Sequence, residues 1–281
     1  MRGRSTRRRR SATTCLLRWA LGLLSGLSPA TAQVSPAGGQ FQVNLFTTSE
    51  QAVPEVASDG SGNFVVVWDS YGSSAGDSSS FSIQARRYEA DGSPLGGQFQ
   101  VNFHTTLAQE HPSVASDSDG NFVVVWDSNN STGTDTDGRS VHGQRFDANG
   151  TTLGPQFQVN LVTAGVQGQA AASSDAQGKF VVVWTSTGSG GNDTSEFSVQ
   201  AQRFAADGSP LGEEFQVNSY TPNKQLMPAI ASDAAGNIVI VWASDSSAGG
   251  DTNLQSIQAR RYAANGTALG DQFQVNTYTT Q

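Results

Sequence analysis

The chain has 281 residues, a formal net charge of −8 and one cysteine. Seven of its 16 basic residues and none of its 24 acidic ones lie in residues 1–32, so the remainder carries 9 − 24 = −15. That balance disfavours phosphate backbones and anionic lipid surfaces as partners, and the single Cys15 excludes an intrachain disulfide.

Residues 1–32 read as a secretory signal. Arg2, Arg4 and Arg7 to Arg10 form a basic start, Cys15 to Leu27 an apolar run, and Ala30-Thr31-Ala32 a small-residue cleavage site. The apolar run has 13 residues and contains Arg18, too short for the roughly 20 residues that a spanning helix needs. Export by a cleaved signal peptide, to a secreted or extracellular location with no membrane insertion, is the expectation.

Beyond the signal the chain is an array. FQVN recurs with its Phe at 41, 99, 157, 215 and 273, a period of 58 residues without insertion. Trp68, Trp126, Trp184 and Trp242 keep that spacing, as do Asp59, Asp117, Asp175 and Asp233, and Arg87, Arg145, Arg203 and Arg261. We divide residues 33–281 into units 40–97, 98–155, 156–213 and 214–271, with a surplus strand at 272–281.

Within the first unit, Pro54 to Ser58 is a short strand and Asp59-Gly60-Ser61-Gly62-Asn63 a tight hairpin turn. Phe64 to Trp68 is apolar on both faces, which requires cover on both sides. A Gly/Ser/Asp loop, 69–80, leads to a third strand, Phe81 to Tyr88. A turn over 91–97 then leads to Phe99-Gln100-Val101-Asn102, apolar on one face only. Four antiparallel strands per unit, with a doubly covered inner strand, predict an all-β, propeller-like array of four blades. An open arc of blades and a string of β-sandwiches are the alternatives. With five FQVN copies for four units, one of 41–44 and 273–276 is left to cover an edge, and we expect a closed four-bladed monomer; an open array would favour a homodimer.

The series VASDSDGNFVVVWDS (114–128) and SIQARRYEADGSPLGGQFQVN (82–102) resembles the tandem repeats of large secreted bacterial proteins, adhesin-like and hemolysin-type. The resemblance covers 40–281 and implies a secreted repeat region; the nonapeptide calcium repeats that accompany such regions are missing.

Residues present in every copy are expected to build the repeat: the four Trp between blades, the four Asp in hairpin turns, and the four Arg paired with an acid or stacked on an aromatic. The Asp turns are superficially like the Asp-boxes of sialidase propellers, but the Trp falls nine residues after the Asp, which does not fit that motif. In an antiparallel meander the 69–80 and 45–53 type connections share one end of the blades, and both tight turns the other. We call these the long-loop face and the tight-turn face. The acidic long-loop face is the binding candidate, through Tyr71, Asp77, Asn129, Asp135, Asp137, Arg139, Asp193, Glu196, Asp245 and Asp251. Asp77, Asp135, Asp193 and Asp251 are also candidates for Ca²⁺, the one cofactor considered. All three histidines, His104, His111 and His142, lie in the second repeat beside Glu110, without the spacing of a metal motif. Uniform copies argue for a non-enzymatic binding or scaffold module taking a protein or glycan ligand, with no nucleic-acid partner; a sialidase-like propeller glycan hydrolase is the alternative.

Overall fold

The computed structural model describes residues 38–72, 77, 80–129, 134–135, 137–188, 191–245, 251 and 254–277, within one compact unit, Gly38–Gln281. The expected signal, 1–32, lies outside the described residues. Among them there is no helix and none that could cross a membrane.

Four antiparallel sheets follow the 58-residue period. Blade I holds β1 (Gln51–Ser58), β2 (Phe64–Tyr71), β3 (Phe81–Tyr88) and β4 (Phe99–Gln100). Blade II holds β5 (Gln109–Ser116), β6 (Phe122–Asn129), β7 (Arg139–Phe146) and β8 (Phe157–Gln158). Blade III holds β9 (Gln167–Ser174), β10 (Phe180–Ser186), β11 (Ser198–Phe204) and β12 (Phe215–Gln216). Blade IV holds β13 (Gln225–Ser232), β14 (Ile238–Asp245), β15 (Gln255–Tyr262) and β16 (Phe273–Gln274). Each sheet is ordered as its strands occur in the chain, the meander form of a β-propeller blade. The first strands β1, β5, β9 and β13 lie against one another along the array, so they form its inner edge.

The doubly apolar second strands explain the stacking. Val65 and Val67 of β2 point one way and meet Phe122, Val124 and Trp126 of β6 in one cluster. Val123 and Val125 then meet Phe180, Val182 and Trp184, and Val183 meets Ile238, Ile240 and Trp242. All four Trp are buried, as the sequence requires. Each fully buried Val or Ile contributes about 1.5–3 kcal/mol, so blade-to-blade burial holds the array together without a disulfide.

FQVN is a connector built from four different tasks. Phe99 packs on Phe146 of the next blade, ring centroids 5.6 Å apart, and Val101 is buried beside it. Asn102 Oδ1 accepts the Ile83 N–H at 2.8 Å, so a side chain extends the ladder where the backbone turns away. Gln100 Nε2 closes the segment by donating to Asn102 O at 2.9 Å.

Two expectations need correction. The surplus copy is 41–44, because Phe273–Gln274 pairs with β15 inside blade IV. Val43 O accepts Arg86 Nη1 at 2.9 Å and Tyr88 Oη at 3.0 Å, just as Val217 O accepts from Arg260 and Tyr262. Residues 41–44 therefore stand where the last strand of a preceding blade would stand. Nor do the described residues close a ring. Val239, Ile257 and Val275, on the face of blade IV turned away from blade III, are exposed, although their counterparts in blades I and II are buried.

Candidate functional site

The residues shared by all units do structural work. Asp117 Oδ1 accepts Asp119 N at 3.0 Å and Asn121 N at 2.9 Å, and the same pattern holds at Asp59, Asp175 and Asp233. The Arg residues have acidic neighbours in Asp147 for Arg87 and Asp207 for Arg145, but their hydrogen-bond partners are backbone carbonyls. Arg145 Nη1 donates to Ala206 O at 2.7 Å, Arg203 donates to Asn265 O and Ala264 O, and Arg87 Nη1 donates to Ala148 O. Each pins its blade to a turn of the next one, and Arg261, in the last blade, is exposed.

The recurrent loop aspartates are also corrected. Asp77, Asp135, Asp193 and Asp251 are buried rather than displayed on the surface. Their Oδ2 atoms accept from the FQVN asparagines, at 3.4 Å for Asn102 and 2.8 Å for Asn160, Asn218 and Asn276. Asp137 N and Ser195 N in turn donate to Asp135 and Asp193. These carboxylates anchor the long loops to the fourth strands. Among the described residues no group of three or more His, Cys, Asp or Glu is arranged to hold a metal ion.

The other long-loop candidates divide. Tyr71 is exposed and packs edge-on against Phe81 at 5.3 Å. Asn129 ends β6, and Asp137 Oδ2 accepts Gly165 N at 3.1 Å. Glu196 and Asp245 do come together, in an open depression of about 800 Å³ with Asn223, Lys224, Leu254 and Gln255, where Lys224 Nζ lies 3.2 Å from Glu196 Oε2.

Arg139 leads to a denser constellation at the long-loop end of the inner edge. Every first strand carries a bulge there, and Val53, His111, Gln169 and Met227 adopt φ of 48°, 53°, 56° and 53°. Non-glycine residues in this region cost about 1–3 kcal/mol each. In a regular strand Glu110 and His111 would point to opposite faces. The bulge re-aims the second of them, and both reach one cluster. His111 Nδ1 lies 3.3 Å from Asp127 Oδ2, Arg139 Nη1 3.4 Å from the same oxygen, and Arg139 Nη2 3.7 Å from Glu110 Oε2. Asp127 is fully enclosed, whereas His111, Arg139 and Glu110 reach solvent. Gly168 of the next blade makes this possible, since a Cβ there would sit 2.9 Å from Asp127 Oδ2 and 3.0 Å from Arg139 Cδ.

Electrostatics sharpen the picture. The hydrogen bond to Asp127 holds the His111 imidazole above its ordinary pKa, against partial desolvation. Burial pushes the Asp69 carboxyl, across the blade I–II junction, above the usual carboxylate range. Asp69 Oδ1 and Asp127 Oδ1 are buried without hydrogen-bond partners. Part of their role is structural: Asp69 and Asp127 receive the bulge N–H groups of His111 at 3.5 Å and Gln169 at 3.0 Å. At the next junction the neutral Gln169 Oε1 takes Met227 N at 3.2 Å, with Thr185 at the aspartate position. A carboxylate is therefore more than the bulge requires. The remaining histidines stand apart: His104 pairs with Thr106, and His142 is buried.

No protein-family model and no curated protein matches this chain. Solved structures do match its fold. The GH93 α-L-arabinofuranosidase of Fusarium graminearum, solved with arabinobiose, aligns at a TM-score of 0.54 and 9% identity over 80% of this chain and 66% of that one. A protein of unknown function from Dyadobacter fermentans DSM 18053 aligns at 0.53 and 12% over 80% and 68%. The GH43 endo-arabinanase of Bacillus licheniformis aligns at 0.43 and 14% over 80% and 79%. The likeness shows a shared β-propeller fold. The expectation of a non-enzymatic scaffold is corrected by this finding, because propellers of this fold include glycoside hydrolases. Its premise fails as well: the units are not uniform at the inner edge, where Glu110, His111, Asp127 and Arg139 occur together in one unit only.

Proposed function

We propose that this chain is a glycan hydrolase whose reacting groups are Glu110 and His111. The observation that carries the reading is the bulge at His111, which gathers two adjacent residues into one solvent-reaching cluster with Asp127 and Arg139. Hydrolysis of a glycosidic bond needs one group to protonate the departing oxygen and another to take a proton from the attacking water. His111 fits the first role: Asp127 receives its Nδ1 side, stabilises the imidazolium and leaves Nε2 as the outward donor. Glu110 fits the second, its carboxylate held by Arg139 while still reaching solvent. The C–O bond breaks as water adds to the sugar carbon. The leaving oxygen takes its proton from His111, and the proton of the water goes to Glu110. An exported protein, as residues 1–32 suggest, would meet extracellular polysaccharides.

Release of reducing sugar or nitrophenol from arabinofuranosides, xylosides and the corresponding polymers tests the proposal. We expect turnover that falls about 10²- to 10⁴-fold in Glu110→Gln with thermal stability retained. We also expect activity to decline as pH rises through the raised pKa of His111, because the donor form is the protonated one. Absence of turnover across the panel, or full activity in Glu110→Gln, overturns it.

A further inference from the structure

The face of blade IV turned away from blade III carries the apolar pattern that blades I and II bury against the next blade. Val239, Ile257 and Val275 are 36%, 42% and 48% exposed there, whereas their counterparts in blade II, Val123, Val141 and Val159, are at most 4% exposed against blade III. Interior apolar residues standing in water mark an interaction surface. The polar groups around the patch identify what fits it.

Between consecutive blades three contacts recur in one direction. Gly60 N donates to Ser118 O, Ser118 N to Ala176 O, and Ala176 N to Ala234 O, at 3.2–3.4 Å. The Arg of each blade reaches the turn carbonyls near 148, 206 and 264 of the next. The turn glycines Gly120, Gly178 and Gly236 pack on Asp59, Asp117 and Asp175 of the blade before. Continued by one period, the donors on blade IV are Ala234 N and Arg261, with Asp233 as the packing surface. On blade I, the matching groups are Gly60 O, Ala90 O and Gly62.

We propose that the outer face of blade IV receives blade I of a second copy of this chain, head to tail. Both surfaces are the two halves of an interface that the molecule already makes three times, so the partner is specified by shape, apolar area and hydrogen-bond polarity together. Two such contacts close a ring of eight blades. One element stands in the way: Phe41 occupies the Tyr88 ring, centroids 5.3 Å apart, in the way that Phe215 occupies Tyr262 at 5.5 Å. The incoming Phe273 needs that same place, so residues 41–44 act as a plug that must exchange before docking is complete.

Light scattering on the full chain over a concentration series tests this. The expected mass at high concentration is twice that of a single copy. Ile257→Glu should return the mass to one copy with an unchanged β-sheet circular dichroism spectrum, and Phe41→Ala should tighten association at least tenfold by weakening the plug. Multiples above two that Ile257→Glu abolishes support the same docking in an unclosed series. A single-copy mass at every concentration for both the native chain and Phe41→Ala overturns the proposal, as does a dimer that survives Ile257→Glu.

Discussion

The second and fourth blades follow the same plan and differ in what they add to it. Blade IV carries Leu226, Met227, Ala243 and Gln255 where blade II carries Glu110, His111, Asp127 and Arg139. Both make the same bulge at the same position, with φ of 53° at His111 and at Met227. The scaffold therefore supplies the strained backbone in every copy, and only blade II mounts a carboxylate and an imidazole on the bulge itself. Departure from the repeat marks the candidate site, while conformity to the repeat reports construction.

Breaking the common plan should cost the two blades alike. Trp126 and Trp242 are both fully buried, and their Nε1 atoms donate to Gln109 and Gln225 at 3.0 Å. Trp126→Ala and Trp242→Ala should each destabilise by about 3–5 kcal/mol in chemical denaturation. A cost for Trp242→Ala below half that of Trp126→Ala would mean that the fourth blade is not packed as the second is.

His142 sharpens the contrast, since blades I, III and IV have glutamine at its position, Gln84, Gln200 and Gln258. Gln98 and Gln272 donate to Gln84 and Gln258, whereas in blade II Gln156 meets His142 Nδ1 at 3.2 Å and Nε2 is left unpaired. Desolvation lowers the imidazole pKa from 6.5 to about 4. A depressed folded-state pKa means that the stabilisation is complete above pH 6.5 and is lost as pH falls towards 4, because the unfolded chain binds a proton that the folded one refuses. The loss amounts to about 3 kcal/mol. Denaturation midpoints of His142→Gln should lack this part of the acid destabilisation; an identical pH profile would refute the assignment.

Much of this construction is legible in the sequence, because each feature rests on residue type at fixed spacing. FVVVW announces a doubly covered strand, and the Asp-Gly turns announce hairpins. What the sequence hides is partner identity. The loop aspartates are acidic residues in polar loops, which suggests a surface; only the fold shows that the FQVN asparagines draw them inside. The conserved spacing of Arg87 to Arg261 likewise does not reveal that its acceptors are backbone carbonyls, which carry no side-chain signature. The inner-edge cluster was within reach: comparing positions 52, 110, 168 and 226 gives Ala, Glu, Gly and Leu, and positions 53, 111, 169 and 227 give Val, His, Gln and Met. Strict alternation along a strand sets Glu110 and His111 apart, and the bulge that unites them has no local sequence mark, since four different residues occupy it.

Exposure of the fourth blade gives a further pair of outcomes. Val141 is wholly buried between blades II and III, while its counterpart Ile257 is half exposed. Val141→Ala should cost about 2 kcal/mol, and Ile257→Ala less than about 0.5 kcal/mol in dilute protein. A rise in the second value with protein concentration would register the burial of that face.

The smallest effect separates the same two blades through their arginines. Arg145 crosses to blade III and donates to Ala206 O at 2.7 Å, and burial lowers its pKa only because the guanidinium is drawn into the junction. Arg261 has the same 2.8 Å bond from Leu269 N to its carbonyl, but among the described residues it is exposed rather than drawn to a turn of another blade. A charged hydrogen bond to a carbonyl contributes about 1.5–3 kcal/mol when enclosed. Arg145 is partly open to solvent, and screening reduces its contribution to about 1 kcal/mol. Arg145→Ala should therefore lower stability by that amount, whereas Arg261→Ala should leave the dilute protein unchanged within about 0.5 kcal/mol. Equal losses would show that these arginines act within their own blades, and that the pin between neighbours contributes nothing.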